Sequence, residues 1–158
     1  MSAREKPDEG DPVSKTRLRL WLRLLKISRG IESELRENFR KEFSTTLPRF
    51  DVMATLNRNR DGMKMSAISG ELKVSNGNVT GIVDRLVSEG FVLRETVAGD
   101  RRAFRVRLTK RGQEEFEVQA SAHEAWIDAL LGGFSAADAM EMIQCLDNTV
   151  LDKSGAEQ

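Results

Sequence analysis

Two groups of side chains between positions 75 and 102 could do recognition chemistry. The first is Ser75, Asn76, Asn78 and Thr80, with Gly77 among them: small polar residues packed into six positions. Asparagine can bond both the N6 and N7 atoms of adenine, serine and threonine can meet bases or phosphates, and a threonine methyl can meet that of thymine. A glycine there lets a backbone approach closely. The second group is Asp100, Arg101 and Arg102. Arginine is the side chain drawn into narrow A·T-rich minor grooves, and an adjacent carboxylate can orient one. Each residue type is also common in any solvated turn, so the elements that carry them decide the reading.

The elements favour a reading head. Met65, Ile68 and Leu72 form a short helical stripe beginning near Ser66, and Val74-Ser75 makes a turn. Ser75 can cap a second helix whose apolar stripe is Val79, Ile82, Val83 and Leu86, stopped by Gly90. Two short helices joined by so tight a turn make a helix-turn-helix, whose second helix enters a major groove. The spacing then predicts strands at 91–97 and 104–108, the second alternating apolar and basic residues. Between them 98–103 reads as a polar loop with Gly99 for its turn. The result is a hairpin with an arginine-rich tip, a wing beside the helix-turn-helix.

Composition is silent on such a partner until it is divided along the chain. The 25 basic and 25 acidic residues cancel. Residues 1–57 carry 12 basic and 9 acidic side chains, 58–111 carry 12 and 6, and 112–158 carry 1 and 10. Screening confines each charge to ~8–10 Å, so the middle segment can attract phosphates inside a neutral protein. The acidic C-terminal third is expected to face away from DNA.

Catalysis is hard to build from this inventory. The one histidine, His123, and the one cysteine, Cys145, lie in separate helical patterns, with no grouped metal ligands and no H-E-x-x-H, C-x-x-C, G-x-S-x-G or phosphate-binding loop signature. An enzyme, a metal site and a cofactor are therefore not expected. A lone cysteine excludes an internal disulfide framework, the N-terminus has no apolar signal region, and no run reaches the ~18 apolar residues of a bilayer span. A cytoplasmic protein without a membrane partner is the expectation.

Flanking helices complete the chain. From Thr16, Leu18, Trp21, Leu22, Leu25, Ile31, Leu35, Phe39 and Phe43 predict a long amphipathic helix. Its first turns are apolar over more than half the circumference, which demands a partner subunit. A membrane-surface helix is the competing reading, disfavoured because the same periodicity runs on into acidic turns. Pro48 opens a second helix with Phe50, Val52, Met53 and Leu56 inside, and 57–62 reads as a turn. After the wing, Thr109 caps a long helix carrying Phe116, Trp126, Ile127, Leu130 and Leu131, ended by Gly132-Gly133. A last helix starts at Ser135 with Asp138 in a capping-box position and runs through Met140, Ile143, Leu146 and Val150. The fold class read from these elements is mainly α with a small β-hairpin wing. Residues 1–15 are a tail, 16–150 one domain (16–46 and 113–150 for dimerisation, 48–112 the winged helix-turn-helix), and 151–158 a second tail.

The stretch VSNGNVTGIVDRL at 74–86, EGFVLR at 89–94, DRR at 100–102 and LTKRG at 108–112 resemble the winged helix-turn-helix of the multiple antibiotic resistance regulator (MarR) family. The resemblance runs over roughly residues 16–150. It implies a homodimer with interlocking terminal helices, bound to a pseudo-palindromic operator in double-stranded DNA and usually repressing transcription. It also implies that Ser75, Asn76, Asn78 and Thr80 read a major groove, with Arg102 in the minor groove held by Asp100. Many members respond to a small aromatic acid or a derivative, and the first helix and recognition helix are similar to those of regulators of aromatic and hydroxycinnamate catabolism. Trp21 could stack on such a ring and Arg17 or Arg23 pair with its acid group, although dimer packing and surface charge account for the same residues. Gly70 and Gly77 depart from good helix formers. A winged-helix adaptor that binds protein instead of DNA is the alternative.

Overall fold

The computed structural model describes residues 12–72 and 76–149. Its elements follow in the order α1 (Val13–Phe43), α2 (Leu47–Arg58), β1 (Met63–Lys64), α3 (Met65–Leu72), α4 (Asn76–Ser88), β2 (Val92–Val97), β3 (Asp100–Leu108), α5 (Lys110–Leu130) and α6 (Ala136–Asp147). The chain divides into two compact units, Met1–Ala120 and Ser121–Gln158. No helix among the described residues is long and apolar enough to cross a membrane.

In the first unit the apolar stripes converge. Val79, Val83 and Leu86 of α4 are fully buried against Val52, Met53 and Leu56 of α2, Ile68 of α3, and Val92, Val106 and Leu108 of the sheet. Leu35 and Phe39 of α1 are buried as well. Phe39 and Phe50 pack with ring centroids 4.7 Å apart, and Phe50 stacks on Phe116 of α5 at 5.5 Å, so three helices share one aromatic column. Thr46 caps α2 by accepting from the Arg49 N–H, with Pro48 in its first turn.

The sheet is antiparallel and three-stranded, in the order β1-β3-β2. The expected hairpin therefore gains a third strand: Met63 pairs with Val106 and Lys64 with Arg105. Gly62, at φ +97°, turns the chain into it, and a side chain there would crowd the Val106 carbonyl at 3.3 Å. The loop expected over 98–103 is also shorter. Val97 pairs with Asp100 across a two-residue turn in which Gly99 takes φ +90°, and the register slips between Thr96 and Val97. The residues 100–103 thus belong to β3. The slip leaves three more residues on β3 than on β2 between adjacent pairs, a bulged tip.

Other boundaries differ by small amounts. α1 begins at Val13, with Pro12 preceding it, three residues before the start expected at Thr16. Ser66 sits inside the first turn of α3 instead of before it. The expected Val74-Ser75 turn, with Ser75 as cap, and Val150 lie outside the described residues. The capping box of α6 is present in full: Ser135 Oγ accepts from Asp138 N–H, and the Asp138 carboxylate accepts from Ser135 N–H at 3.0 Å.

The segment 108–112 is a structural lock. Thr109 Oγ1 donates to the Gly90 carbonyl at 2.7 Å and accepts from Gly112 N–H at 3.0 Å. This joins the end of α4 to the start of α5. Gly112 carries no Cβ because one would lie 2.0 Å from the Phe91 carbonyl oxygen. Gly112→Ala must push backbone apart, and overpacking of this kind costs ~1–3 kcal/mol. At ~2–4 °C per kcal/mol for a chain of this size, a melting temperature lower by ~2–12 °C is expected in a thermal melt. An unchanged melt would mean that the wing root is not rigid.

In the second unit α6 has no buried residue at all. Met140, Ile143 and Leu146 are 58%, 50% and 45% exposed.

Candidate nucleic-acid interface

α4 is held by its inner stripe, which fixes what its outer side can present. Gly77, Asn78 and Thr80 are exposed there, as the second, third and fifth residues of the helix. Asn76 is the first residue of α4, and Ser75, its neighbour in sequence, lies outside the described residues. The four residues expected to read bases therefore fall at or beside the beginning of one helix, where unpaired backbone N–H groups favour anions. A Cβ at Gly77 would meet nothing within 4 Å, so the glycine leaves open surface instead of relieving a clash. Gly70 also faces open space, and nothing in the structure explains it.

Two ion pairs fasten α4 to its surroundings, and the sequence reading missed both. Asp84 pairs with Arg94 of β2, and Glu89, just beyond α4, pairs with Arg49 of α2. The first ties the reading helix to the wing, and the second ties its far end to the helix behind it. The signal for them was weak: oppositely charged residues ten and forty positions apart meet only once the fold is known.

At the wing tip Asp100 and Arg102 are exposed. The Asp100 Oδ1 accepts from the backbone N–H of Arg102 at 2.9 Å, a backbone contact beyond the side-chain pairing expected. Asp100 thus sets the local backbone at the bulge and leaves the Arg102 guanidinium presented to solvent. Arg101 lies in β3 next to it. Further down, Arg107 Nε donates to Glu95 Oε1 at 2.8 Å across the strands.

Arg17, Trp21 and Arg23 lie on the exposed first half of α1. Val13, Leu18, Trp21 and Leu22 are 63%, 56%, 55% and 53% exposed, so this half of the helix carries uncovered apolar side chains, while the second half buries Leu35 and Phe39. None of the three lines either of two clefts beside α4. One cleft of about 540 Å³ is bounded by Glu32 and Arg36 of α1, Asp51 of α2, Leu72, and Asn78 and Ile82 of α4. Arg36 is paired with Glu32 at 2.7 Å in its wall. Glu37, on the same helix, is drawn down to about 2 by hydrogen bonds from Arg40 and Lys41. No group of three or more histidine, cysteine or acidic residues placed to hold a metal occurs among the described residues. Cys145 is exposed on α6 and His123 lies in α5.

Comparison with known proteins bears on the same segment. The model of the MarR family matches residues 45–104. A crystal structure of a MarR family transcriptional regulator from Silicibacter pomeroyi superposes with a TM-score of 0.73 and 33% identity, covering 91% of this chain and 99% of that one. The uncharacterized HTH-type transcriptional regulator YkoM of Bacillus subtilis is 29% identical over 115 residues, 73% of each chain. A mutant MarR from E. coli, crystallised with operator DNA, has the same fold at 20% identity and a TM-score of 0.72, over 89% of this chain and 99% of that one.

Proposed function

The chain belongs to the MarR family of winged helix-turn-helix transcriptional regulators, and from this premise we propose that it is a homodimeric repressor released from a pseudo-palindromic operator by a small aromatic acid or its derivative. As a member of that family it regulates transcription by binding DNA and is not an enzyme. Ser75, Asn76, Asn78 and Thr80 read the major groove, Gly77 lets the backbone approach, and the Asp100, Arg101, Arg102 tip probes the minor groove.

The observation that carries the dimer is uncovered apolar surface. The first half of α1 exposes Leu18, Trp21 and Leu22, and α6 exposes Met140, Ile143 and Leu146. Contiguous apolar faces of this kind mark association surfaces. A second copy covers them reciprocally in a two-fold dimer, which sets two α4 helices against half-sites about one helical turn, ~34–36 Å, apart.

For the effector, Trp21 offers a ring to stack on, and Arg17 or Arg23 a partner for an acid group. The cleft beside Asn78 gives a second seat, because its volume of about 540 Å³ falls in the range of small-ligand pockets. A thermal-shift screen of aromatic acids and their thioesters, run with Trp21→Ala, separates the two. Stabilisation lost in Trp21→Ala supports the α1 seat, and stabilisation retained supports the cleft; no stabilisation by any of them contradicts an aromatic effector.

The operator reading is tested by a mobility-shift titration over a salt series with DNA upstream of the protein's own gene. Binding steeper in salt than one phosphate contact, and preferred over random duplex near ~150 mM salt, is expected. No preference over random duplex would overturn it and leave the protein-binding adaptor.

A further inference from the structure

We propose that a DNA backbone phosphate seats in the groove between the start of α2 and the outer edge of α4, held by Arg85 opposite Arg49. The contact shares Gly77 and Asn78 with the base-reading start of α4, extends beyond it to Arg85 and lies apart from the wing, and it rests on the reading that α4 enters a major groove.

The groove encloses about 400 Å³ and is lined by Ser44, Thr46 and Arg49 on one side and by Gly77, Asn78, Gly81, Ile82 and Arg85 of α4 on the other. Gly77, Gly81 and Arg85 recur every four residues, so they form one line along α4. The buried stripe of Val79, Val83 and Leu86 occupies the other side. A Cβ at either glycine would meet nothing within 4 Å. For two turns, therefore, the edge of α4 is bare backbone facing open space, and it ends in an exposed arginine.

Geometry places that arginine at the lip of the groove in DNA. A rise of ~1.5 Å per residue sets Arg85 ~13 Å along the axis from the first residue of α4. A major groove is ~12 Å wide and ~8.5 Å deep. A helix whose first turns touch base edges has left the groove floor by that distance and passes the sugar-phosphate wall. The bare glycine edge lets the wall come close, and Arg85 meets it with charge.

The opposite side of the groove is built to hold a fixed cation. The Arg49 side chain is only 13% exposed and is anchored by its pair with Glu89. Its Nε is buried without a hydrogen-bond partner. Glu89 offsets part of the Arg49 charge, and Asp84, the neighbour of Arg85 in sequence, is engaged by Arg94. Thr46 Oγ1 accepts from the Arg49 N–H at 3.3 Å, which leaves its own proton free to donate into the groove. Two guanidinium groups, two hydroxyls and two bare glycines suit a phosphodiester better than an aromatic or a cation.

The test uses the full chain and a duplex enriched from a random pool by the wild-type protein. Arg85→Ala is expected to lower the slope of log affinity against log salt by about 1 per subunit, or about 2 per dimer, because each lost phosphate contact releases one fewer counterion. Affinity falls by roughly 10-fold or more, while the ranking of base substitutions in the duplex stays the same. Arg85→Lys, which keeps the charge, restores most of the slope, and the melting temperature of both variants stays at the wild-type value. An unchanged slope in Arg85→Ala alongside weakened binding in Asn78→Ala overturns the phosphate seat and leaves the reading of α4 standing. No loss in either variant overturns that reading itself. Inorganic phosphate supplies the remaining arm: stabilisation of the free protein that vanishes in Arg85→Ala, with the DNA salt slope unchanged, makes the groove a small-anion site and overturns the DNA contact.

Discussion

Asn78→Ala is expected to weaken operator binding by at least ~30-fold, and Asn78→Ala with Arg102→Ala to remove preference for the operator. A bidentate asparagine–adenine pair is worth ~1–3 kcal/mol, and a two-fold complex makes it twice, so ~2–6 kcal/mol is lost with the single substitution. Asn78 is exposed in the early turns of α4, and the stripe that holds the helix is on the other side. The substitution therefore leaves that core stripe intact. Arg102 is similar: Asp100 binds its backbone N–H, so truncating the guanidinium leaves the turn intact. Mobility shift gives the affinity and a thermal melt gives the control. If neither substitution weakens binding, α4 and the wing are not the reading head, and the protein-binding adaptor becomes the better account.

Trp21→Glu with Ile143→Glu is expected to convert the dimer to monomers of 17.7 kDa in light scattering. A tryptophan buries ~150–250 Å² when it packs; about half of that is still exposed here, so at ~25 cal/mol per Å² each copy gives up ~2–3 kcal/mol of association energy. Both side chains are half exposed, at 55% and 50%, so a carboxylate at either is well solvated and the subunit still folds. In a dimer the same carboxylates would be buried without a partner. The variant should also lose operator affinity, because one reading head makes half the contacts. A dimer that survives with unchanged affinity would place the interface elsewhere.

How much of this was legible in the sequence varies with the range of the forces involved. The stripe at Val79, Val83 and Leu86 and the caps at Thr109 and Ser135 are local patterns, and the structure has each of them. β1 was not legible. Two residues, Met63 and Lys64, are too few to show a period, and they become a strand only because β3 offers them an edge. The wing tip was misread as a loop for a related reason: its residues are polar, and pairing between Val97 and Asp100 is a backbone event that side-chain pattern does not report.

The site divides in the same way. Asn78, Thr80 and Arg102 were visible as exposed polar residues at a helix start and a turn. The ion pairs of Asp84 with Arg94 and Glu89 with Arg49 were not, because each needs two elements in place. The recurrence of Gly77, Gly81 and Arg85 was present in the sequence all along, but open space beside both glycines is a fact of the fold. Gly112 is the reverse case: its motif stood out beside the DNA-reading stretches, yet its reason is the Phe91 carbonyl behind it.

The central claim is that two copies of α4 and the wing read one two-fold site, and a footprint of the protein on its enriched duplex tests it most directly. Two protected half-sites about one helical turn, ~34–36 Å, apart are predicted. Two chains should bind per duplex, and scrambling either half-site should cost most of the affinity. A single protected patch bound by one chain, indifferent to scrambling of the flanking half, would contradict it.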